Sequence, residues 1–208
     1  MDIIDGLFIA AIIIFSVIVH EVMHGALADM LGDPTARYAG RLTLNPIPHI
    51  DFFGSIVLPI LCAITPGGFF FGWAKPVPYN PYNFRRLRVW GEALVAAAGP
   101  LSNLALALIF GLLIRLHVVP NLHSFFFLIV AINCSLAILN LLPIPPLDGS
   151  KVLASILPRP LSNMYDTIRA NLEHNPFLGF GLIIVLIFVF GRSFSLAVYA
   201  LANLIAGV

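Results

Sequence analysis

Charged side chains are scarce in this sequence. Only 10% of the 208 residues are Asp, Glu, Lys or Arg, whereas 60% are hydrophobic, and the mean hydropathy is +0.98. Because soluble domains carry about 25% charged residues, this composition excludes an ordinary soluble domain and indicates an integral membrane protein. The net charge of +1 gives no reason to expect nucleic acid as a partner.

Cysteine is also rare, and a cleavable leader is not evident. Cys62 and Cys134 both lie in apolar runs and share no recognisable spacing, which indicates two small buried hydrophobic side chains. The N-terminal stretch has neither a basic n-region nor a small-residue cleavage site, so we expect it to remain in the mature protein. No internal repeat is visible in the sequence.

Long apolar runs dominate what remains. Four of them can cross a membrane, because ~30 Å of hydrocarbon takes about 20 helical residues. These four runs are 3–30, 90–116, 124–142 and 178–206. A fifth run, 52–66, is short and contains Pro59, so we expect a re-entrant or half-inserted helix there.

One stretch departs from helical patterning. Residues 65–81 carry glycines with aromatic residues between them, which favours an extended hairpin or a bulged strand over a helix. The sequence therefore predicts an all-α polytopic membrane protein, a single domain over 1–208 with about four transmembrane helices. A re-entrant segment and a small membrane-associated β-hairpin complete the predicted fold.

Basic residues indicate the orientation. Most of them fall in three connections, 31–51, 67–89 and 143–177. The positive-inside rule places these connections in the cytoplasm and the N-terminus outside. The segment 52–66 must then return to the side from which it entered, as its shortness already suggested.

The first apolar run contains ionisable residues that need an explanation. His20, Glu21 and His24 form an H-E-x-x-H motif, whose two histidines lie one helical turn apart and can bind one zinc ion. Glu21 then lies beside the metal as a general base for an activated water. His20 follows Gly6 by about 21 Å of helix, at 1.5 Å per residue, which places the motif inside the membrane and nearer its cytoplasmic face.

A catalytic zinc usually takes a third protein ligand. Asp148 follows three prolines that stop the apolar run 124–142, and it lies at about the depth of the two histidines. Its spacing fits an N-cap of the next helix equally well, and the depth favours a metal ligand.

These motifs resemble the site-2 protease family of intramembrane zinc metalloproteases. The matching residues are HEVMH at 20–24, AAAGPLSN at 96–103 and LNLLPIPPLDG at 139–149. The short bacterial and archaeal members, which have no PDZ or CBS domain, are the most similar type. The resemblance implies a catalytic core over about 3–155, a C-terminal span at about 178–206, and one Zn²⁺ per chain.

The resemblance also implies roles for individual residues. His20, His24 and Asp148 are the expected zinc ligands, and Glu21 is the expected base. Asn140 is expected to steady the substrate or the developing oxyanion, with an interhelical hydrogen bond as the alternative. The expected substrate-binding residues are Gly67, Gly68, Phe69, Phe70, Phe71, Gly72 and Asn103. Asn103 belongs to the GPLSN pattern, in which small-residue helix packing explains Gly99 and Ser102 equally well.

The resulting functional prediction is regulated intramembrane proteolysis of a transmembrane protein substrate, in contact with membrane lipid. The expected location is the plasma membrane of a prokaryote. A zinc-binding scaffold and a metal transporter are the alternatives, but neither needs Glu21, and a transporter is expected to show repeated spans. The sequence leaves open the client, the cleavage position, an accessory regulator or homo-oligomer, and whether 156–177 forms an interfacial helix or a loop.

Overall fold

Helices form most of the part of the chain that the computed structural model describes, residues 3–57, 74–87 and 90–208. The α-helices there are α1 (Ile3–Leu31), α2 (Thr35–Tyr38), α3 (Gly91–Arg115), α4 (His123–Asn140), α5 (Asp148–Ile156), α6 (Arg159–His174) and α7 (Pro176–Ala206). Shorter turns of other helix types are Ile47–His49, Phe52–Val57, Pro81–Asn83 and Pro120–Leu122. The chain divides into two compact units, Met1–Arg86 and Leu87–Val208.

Four helices are long and apolar enough to cross a membrane. They cover Asp5–Leu31, Gly91–Arg115, Pro120–Asn140 and Phe188–Ala206. The predicted all-α class and the four predicted spans are therefore confirmed within the described residues. The last apolar run lies in a single helix, α7.

The predicted hairpin and re-entrant segment receive no support from the described residues. No strand occurs in 3–57, 74–87 or 90–208, and 74–80, the described end of the predicted hairpin, has no regular secondary structure. Phe52–Val57 forms one π-helical turn, and the rest of the predicted re-entrant segment lies outside the described residues.

In the first unit, a glycine ends α1. Gly32 has φ +111°, a conformation that L side chains rarely adopt. Its N–H donates to the carbonyl of Asp29 at 3.0 Å, and the N–H of Asp33 donates to the carbonyl of Ala28 at 2.9 Å. This pair of bonds is the Schellman pattern, which satisfies carbonyls at a helix C-terminus.

Asp33 then connects this helix end to a distant part of the same unit. Its fully buried carboxylate accepts hydrogen bonds from the backbone N–H of Asn80 at 2.6 Å and from the side-chain amide of Asn83 at 2.7 Å. The Thr35 hydroxyl donates to it at 2.5 Å. Burial acts to raise the pKa of Asp33, but these hydrogen bonds outweigh burial and lower the pKa below its usual value.

The second unit packs α3, α4 and α7 around small residues. A side chain at Gly111 of α3 would meet Ile205 of α7 at 2.4 Å, so only glycine permits this close approach of the two helices. Arg115 completes the contact, because its Nε donates to the carbonyl of Ile205 at 2.8 Å. Cys134 is buried in α4, as predicted, whereas Cys62 lies outside the described residues.

The proline-rich connection after α4 is held by α6. α4 ends at Asn140, as the prolines that follow predict. The hydroxyl of Tyr165 in α6 donates to the carbonyl of Pro143 at 2.9 Å, and Arg169 of α6 pairs with Glu92 of α3 at 3.3 Å. The sequence left residues 156–177 as either an interfacial helix or a loop. Most of this segment is helix α6, Arg159–His174.

Candidate metal centre

The H-E-x-x-H residues of α1 come together on one side of the helix. One ligand atom from each of His20, Glu21 and His24 lies within 4.8 Å of the other two. The imidazole rings of the two histidines meet edge to face, with centroids 4.7 Å apart and planes at 86°. Both histidines are nearly buried, at 6% and 7% exposure, and Glu21 is half-buried.

This donor set fits a zinc ion. Zinc binds imidazole nitrogen and carboxylate oxygen at about 2.0–2.2 Å, so two of its ligand atoms lie at most about 4.4 Å apart. The ligand atoms here lie within 4.8 Å of one another. A small rotation of the side chains is enough to bring them to the zinc-binding separation. The residues present therefore match the metal that the motif predicts.

Glu21 has a hydrogen-bond partner that the sequence did not indicate. One of its carboxylate oxygens, Oε2, accepts the backbone N–H of Val77 at 2.9 Å. The two residues are 56 positions apart in the chain. The donor is a backbone N–H, which every residue except proline has, so the residue type at position 77 does not indicate the contact. No sequence pattern could have identified this contact.

Asp148 and Asn140 lie in the second unit. Asp148 is the first residue of α5 and is half-buried, and Leu147 occupies the N-cap position that the alternative interpretation gave to Asp148. The side-chain amide of Asn140 donates to the carbonyl of Leu136 one turn earlier, at 2.9 Å. An amide nitrogen carries two N–H donors, so this bond leaves one donor for another acceptor. The roles of both residues remain predictions.

Asn103 belongs to a buried pair between α3 and α4. Its amide donates to the side-chain oxygen of Asn133 at 3.0 Å, and the amide of Asn133 donates to the carbonyl of Ile129 at 2.9 Å. Both asparagines are fully buried. The pair joins α3 to α4 inside the second unit, and the substrate-binding role of Asn103 stays a prediction. Asn133 was not singled out, although a polar amide within an apolar run was a usable signal.

The other expected substrate-binding residues are outside the described part of the chain. They are Gly67, Gly68, Phe69, Phe70, Phe71 and Gly72. Their predicted role is untested.

Comparison with known proteins decides the family. A family model described as "Peptidase family M50" matches residues 117–186, a range that includes Asn140 and Asp148. The chain is 40% identical over 161 residues to YwhC of Bacillus subtilis (strain 168), an alignment that covers 73% of this chain and 69% of the relative. The chain belongs to peptidase family M50. This is the site-2 protease family, so the resemblance drawn from the motifs is confirmed.

Other relatives agree. Rip2 of Mycolicibacterium smegmatis is 33% identical over 150 residues, which are 69% of this chain and 56% of the relative. MJ0611 of Methanocaldococcus jannaschii is 30% identical over 137 residues, which are 65% of this chain and 63% of the relative. All three relatives carry the printed name "Putative zinc metalloprotease". No solved structure matches the chain.

Proposed function

We propose that this M50 peptidase hydrolyses a peptide bond within or next to a transmembrane segment of a client protein. The observation that carries the proposal is the position of the candidate metal centre on α1. His20, Glu21 and His24 are gathered on a helix whose 27 residues from Asp5 to Leu31 can cross a membrane. A water-soluble peptide has no ready access to such a site.

The depth of the site supports a substrate that is itself in the membrane. His20 follows Asp5, the start of the apolar span, by about 22 Å of helix at 1.5 Å per residue. The hydrocarbon layer is about 30 Å thick, so the site lies inside it, towards the C-terminal end of α1. With the N-terminus outside, as the basic residues predict, that end faces the cytoplasm of a prokaryotic cell.

The residues of this chain divide the chemistry among them. His20 and His24 would hold one zinc ion, and Asp148 is the expected third ligand. A bound zinc ion would act there as a Lewis acid toward the scissile carbonyl and would make water a stronger nucleophile. Glu21 takes a proton from the attacking water and returns it to the leaving amine, as a general base and then a general acid. Asn140 offers its second N–H to the oxyanion.

The first test measures metal and cleavage in the same preparations. Detergent-purified wild-type protein is expected to hold about one zinc per chain, and His24→Ala is expected to lose it. Glu21→Gln is expected to keep zinc but to lose cleavage of a transmembrane model peptide in proteoliposomes by at least about 10²-fold.

Three outcomes would contradict the proposal in different ways. Wild-type protein that binds zinc but cleaves no member of a panel of transmembrane peptides favours the scaffold alternative. Cleavage that survives Glu21→Gln means that Glu21 is not the base. Loss of zinc in Glu21→Gln would show that the carboxylate is mainly a ligand.

A further inference from the structure

We infer that the segment 74–80 positions Glu21, and that the N–H of Val77 is the group that does so. The inference deepens the proposed function, on which its catalytic consequence rests. The contact itself is independent of catalysis: the Val77 N–H donates to Glu21 Oε2 at 2.9 Å. A hydrogen bond to an ionised carboxylate is among the stronger ones in proteins.

The sequence around Val77 suits a fixed donor. Pro76 and Pro78 flank it, and each proline has a fixed φ and no N–H. The segment is therefore stiff, and the Val77 amide is the sole backbone donor among these three residues. Val77 is 5% exposed, so its N–H is shielded from water, which makes a protein partner necessary.

Contacts within the first unit hold the segment at both ends. The backbone N–H of Lys75 donates to the carbonyl of His49 at 2.9 Å. The buried guanidinium of Arg41 donates to the carbonyls of Lys75 and Pro76. At the far end, the N–H of Asn80 donates to the buried carboxylate of Asp33. The position of the Val77 amide is thus set by groups that are remote from the metal ligands.

A glycine lets the segment approach α1. Gly25 follows Glu21 by one helical turn, and a Cβ at this position would meet Val77 Cγ1 at 2.7 Å, Leu42 Cδ2 at 2.8 Å and the Cβ of Ala36 at 2.9 Å. Distances below 3.0 Å require something to move. The Val77 side chain therefore packs directly onto the helix backbone beside the motif, which brings its N–H within reach of Glu21.

The chemical consequence follows from how a glutamate works as a base. A glutamate side chain has three rotatable bonds and samples many orientations when it is free. With Oε2 held by a fixed amide, the carboxylate is oriented before substrate binds. A misplacement of about 1 Å at a reacting group can cost on the order of 10²-fold in rate, so the contact is expected to act on kcat rather than on substrate binding.

Hydrogen exchange tests the contact without any activity measurement. Exchange of the Val77 amide is followed in the wild-type protein, in Glu21→Ala and in Glu21→Gln, each with and without zinc. Glu21→Ala removes the acceptor, so the Val77 amide is expected to exchange at least about 10-fold faster. Glu21→Gln keeps a side-chain carbonyl that can accept the bond, so exchange is expected to stay slow although cleavage is lost. Equal protection in Glu21→Ala and the wild-type protein would overturn the inference.

Kinetics then test the consequence. Val77→Pro removes the N–H, and Val77→Ala keeps it while losing the same packing against Gly25. Val77→Pro is expected to lower kcat by at least about 10-fold with KM and zinc content preserved, and Val77→Ala is expected to lower kcat far less. Equal kcat values in the two variants would overturn the positioning role. If Val77→Pro does not fold, Arg41→Met, which frees the segment, is compared with Arg41→Lys, and equal kcat values there count against the inference in the same way.

The proposed function and the positioning of Glu21 by Val77 can be refuted separately. If the wild-type protein cleaves nothing but the Val77 amide is deprotected by Glu21→Ala, the contact stands and the proposed function falls. If cleavage depends on Glu21 but exchange of the Val77 amide is the same in Glu21→Ala and the wild-type protein, the proposed function stands and the positioning inference falls.

Discussion

Replacement of Asp33 by alanine is expected to loosen the first unit of the protein. The Asp33 carboxylate is fully buried, and it joins the end of α1 to the Asn80–Asn83 turn through hydrogen bonds of 2.6 and 2.7 Å. Asp33→Ala removes both long-range bonds together with the local bonds to Thr35. The turn then loses its side-chain attachment to the end of α1, although the backbone N–H of Arg85 still donates to the carbonyl of Leu31 at 2.8 Å.

The loss of folding free energy in Asp33→Ala can be estimated from the hydrogen-bond partners of the carboxylate. Hydrogen bonds to a charged group contribute about 1.5–3 kcal/mol each, so the two long-range bonds set an upper limit of about 3–6 kcal/mol. Asn80 and Asn83 are exposed, so water can satisfy their N–H groups once the carboxylate is gone. The full penalty for unsatisfied buried groups therefore does not apply, and we expect a loss of about 2–3 kcal/mol. Asp33→Asn, which retains one acceptor oxygen, is expected to lose about half as much.

The same carboxylate is expected to make stability depend on pH. The pKa of Asp33 is lower in the folded protein than its usual value, so the ionised form favours folding. This contribution is complete above the unfolded pKa of about 3.9. It is lost as the pH falls through that value and then through the lower folded pKa. Asp33→Asn removes this part of the acid sensitivity.

Thermal unfolding in detergent measures both effects. For a chain of this size, about 2–4 °C of Tm corresponds to 1 kcal/mol, so Asp33→Ala is expected to lower Tm by about 5–10 °C. The difference in Tm between wild-type protein and Asp33→Asn is expected to shrink when the pH is lowered from 6 to about 3. Tm values of both variants within about 1 °C of the wild-type value would refute the reasoning.

Two further predictions concern the second unit. Gly149→Ala places a Cβ 2.3 Å from the backbone oxygen of Leu141, so it is expected to destabilise the protein by about 1–3 kcal/mol and to weaken zinc retention if the adjacent Asp148 is a ligand. Gly191→Ala, which meets nothing within 4 Å, is the matched control, and equal Tm values for the two variants would contradict the expectation. The exposed apolar side chains of α6, among them Ile168, are expected to lie in the membrane interface. Ile168→Trp should therefore add emission that brominated lipids quench, and Asn163→Trp on the opposite face should not; equal quenching would argue against this placement.

Local sequence was sufficient for the spans and for the core of the candidate site. The length of an apolar run can be compared directly with the thickness of the membrane. The H-E-x-x-H motif lies within one helix, and helical geometry alone places His20 and His24 on one face. The three prolines after Asn140 likewise end α4 by steric exclusion. Each of these features depends only on residues close together in the chain.

Features that depend on distant residues were not accessible in this way. The partner of Glu21 is a backbone N–H 56 residues away, and any residue except proline supplies such a donor. Asn133 reads as one polar residue in an apolar run until its partner, Asn103 on the neighbouring helix, is known. Asp33 gives no indication in the sequence that Asn80 and Asn83 surround it.

The sequence by itself therefore determined the membrane class, the four spans and the adjacent side chains of the candidate metal centre, because hydropathy and helical periodicity act over one or two turns. Tertiary structure decided which buried polar groups satisfy one another, including the amide that holds Glu21. A buried donor requires some acceptor, but only the folded path of the chain specifies which one lies within hydrogen-bonding distance.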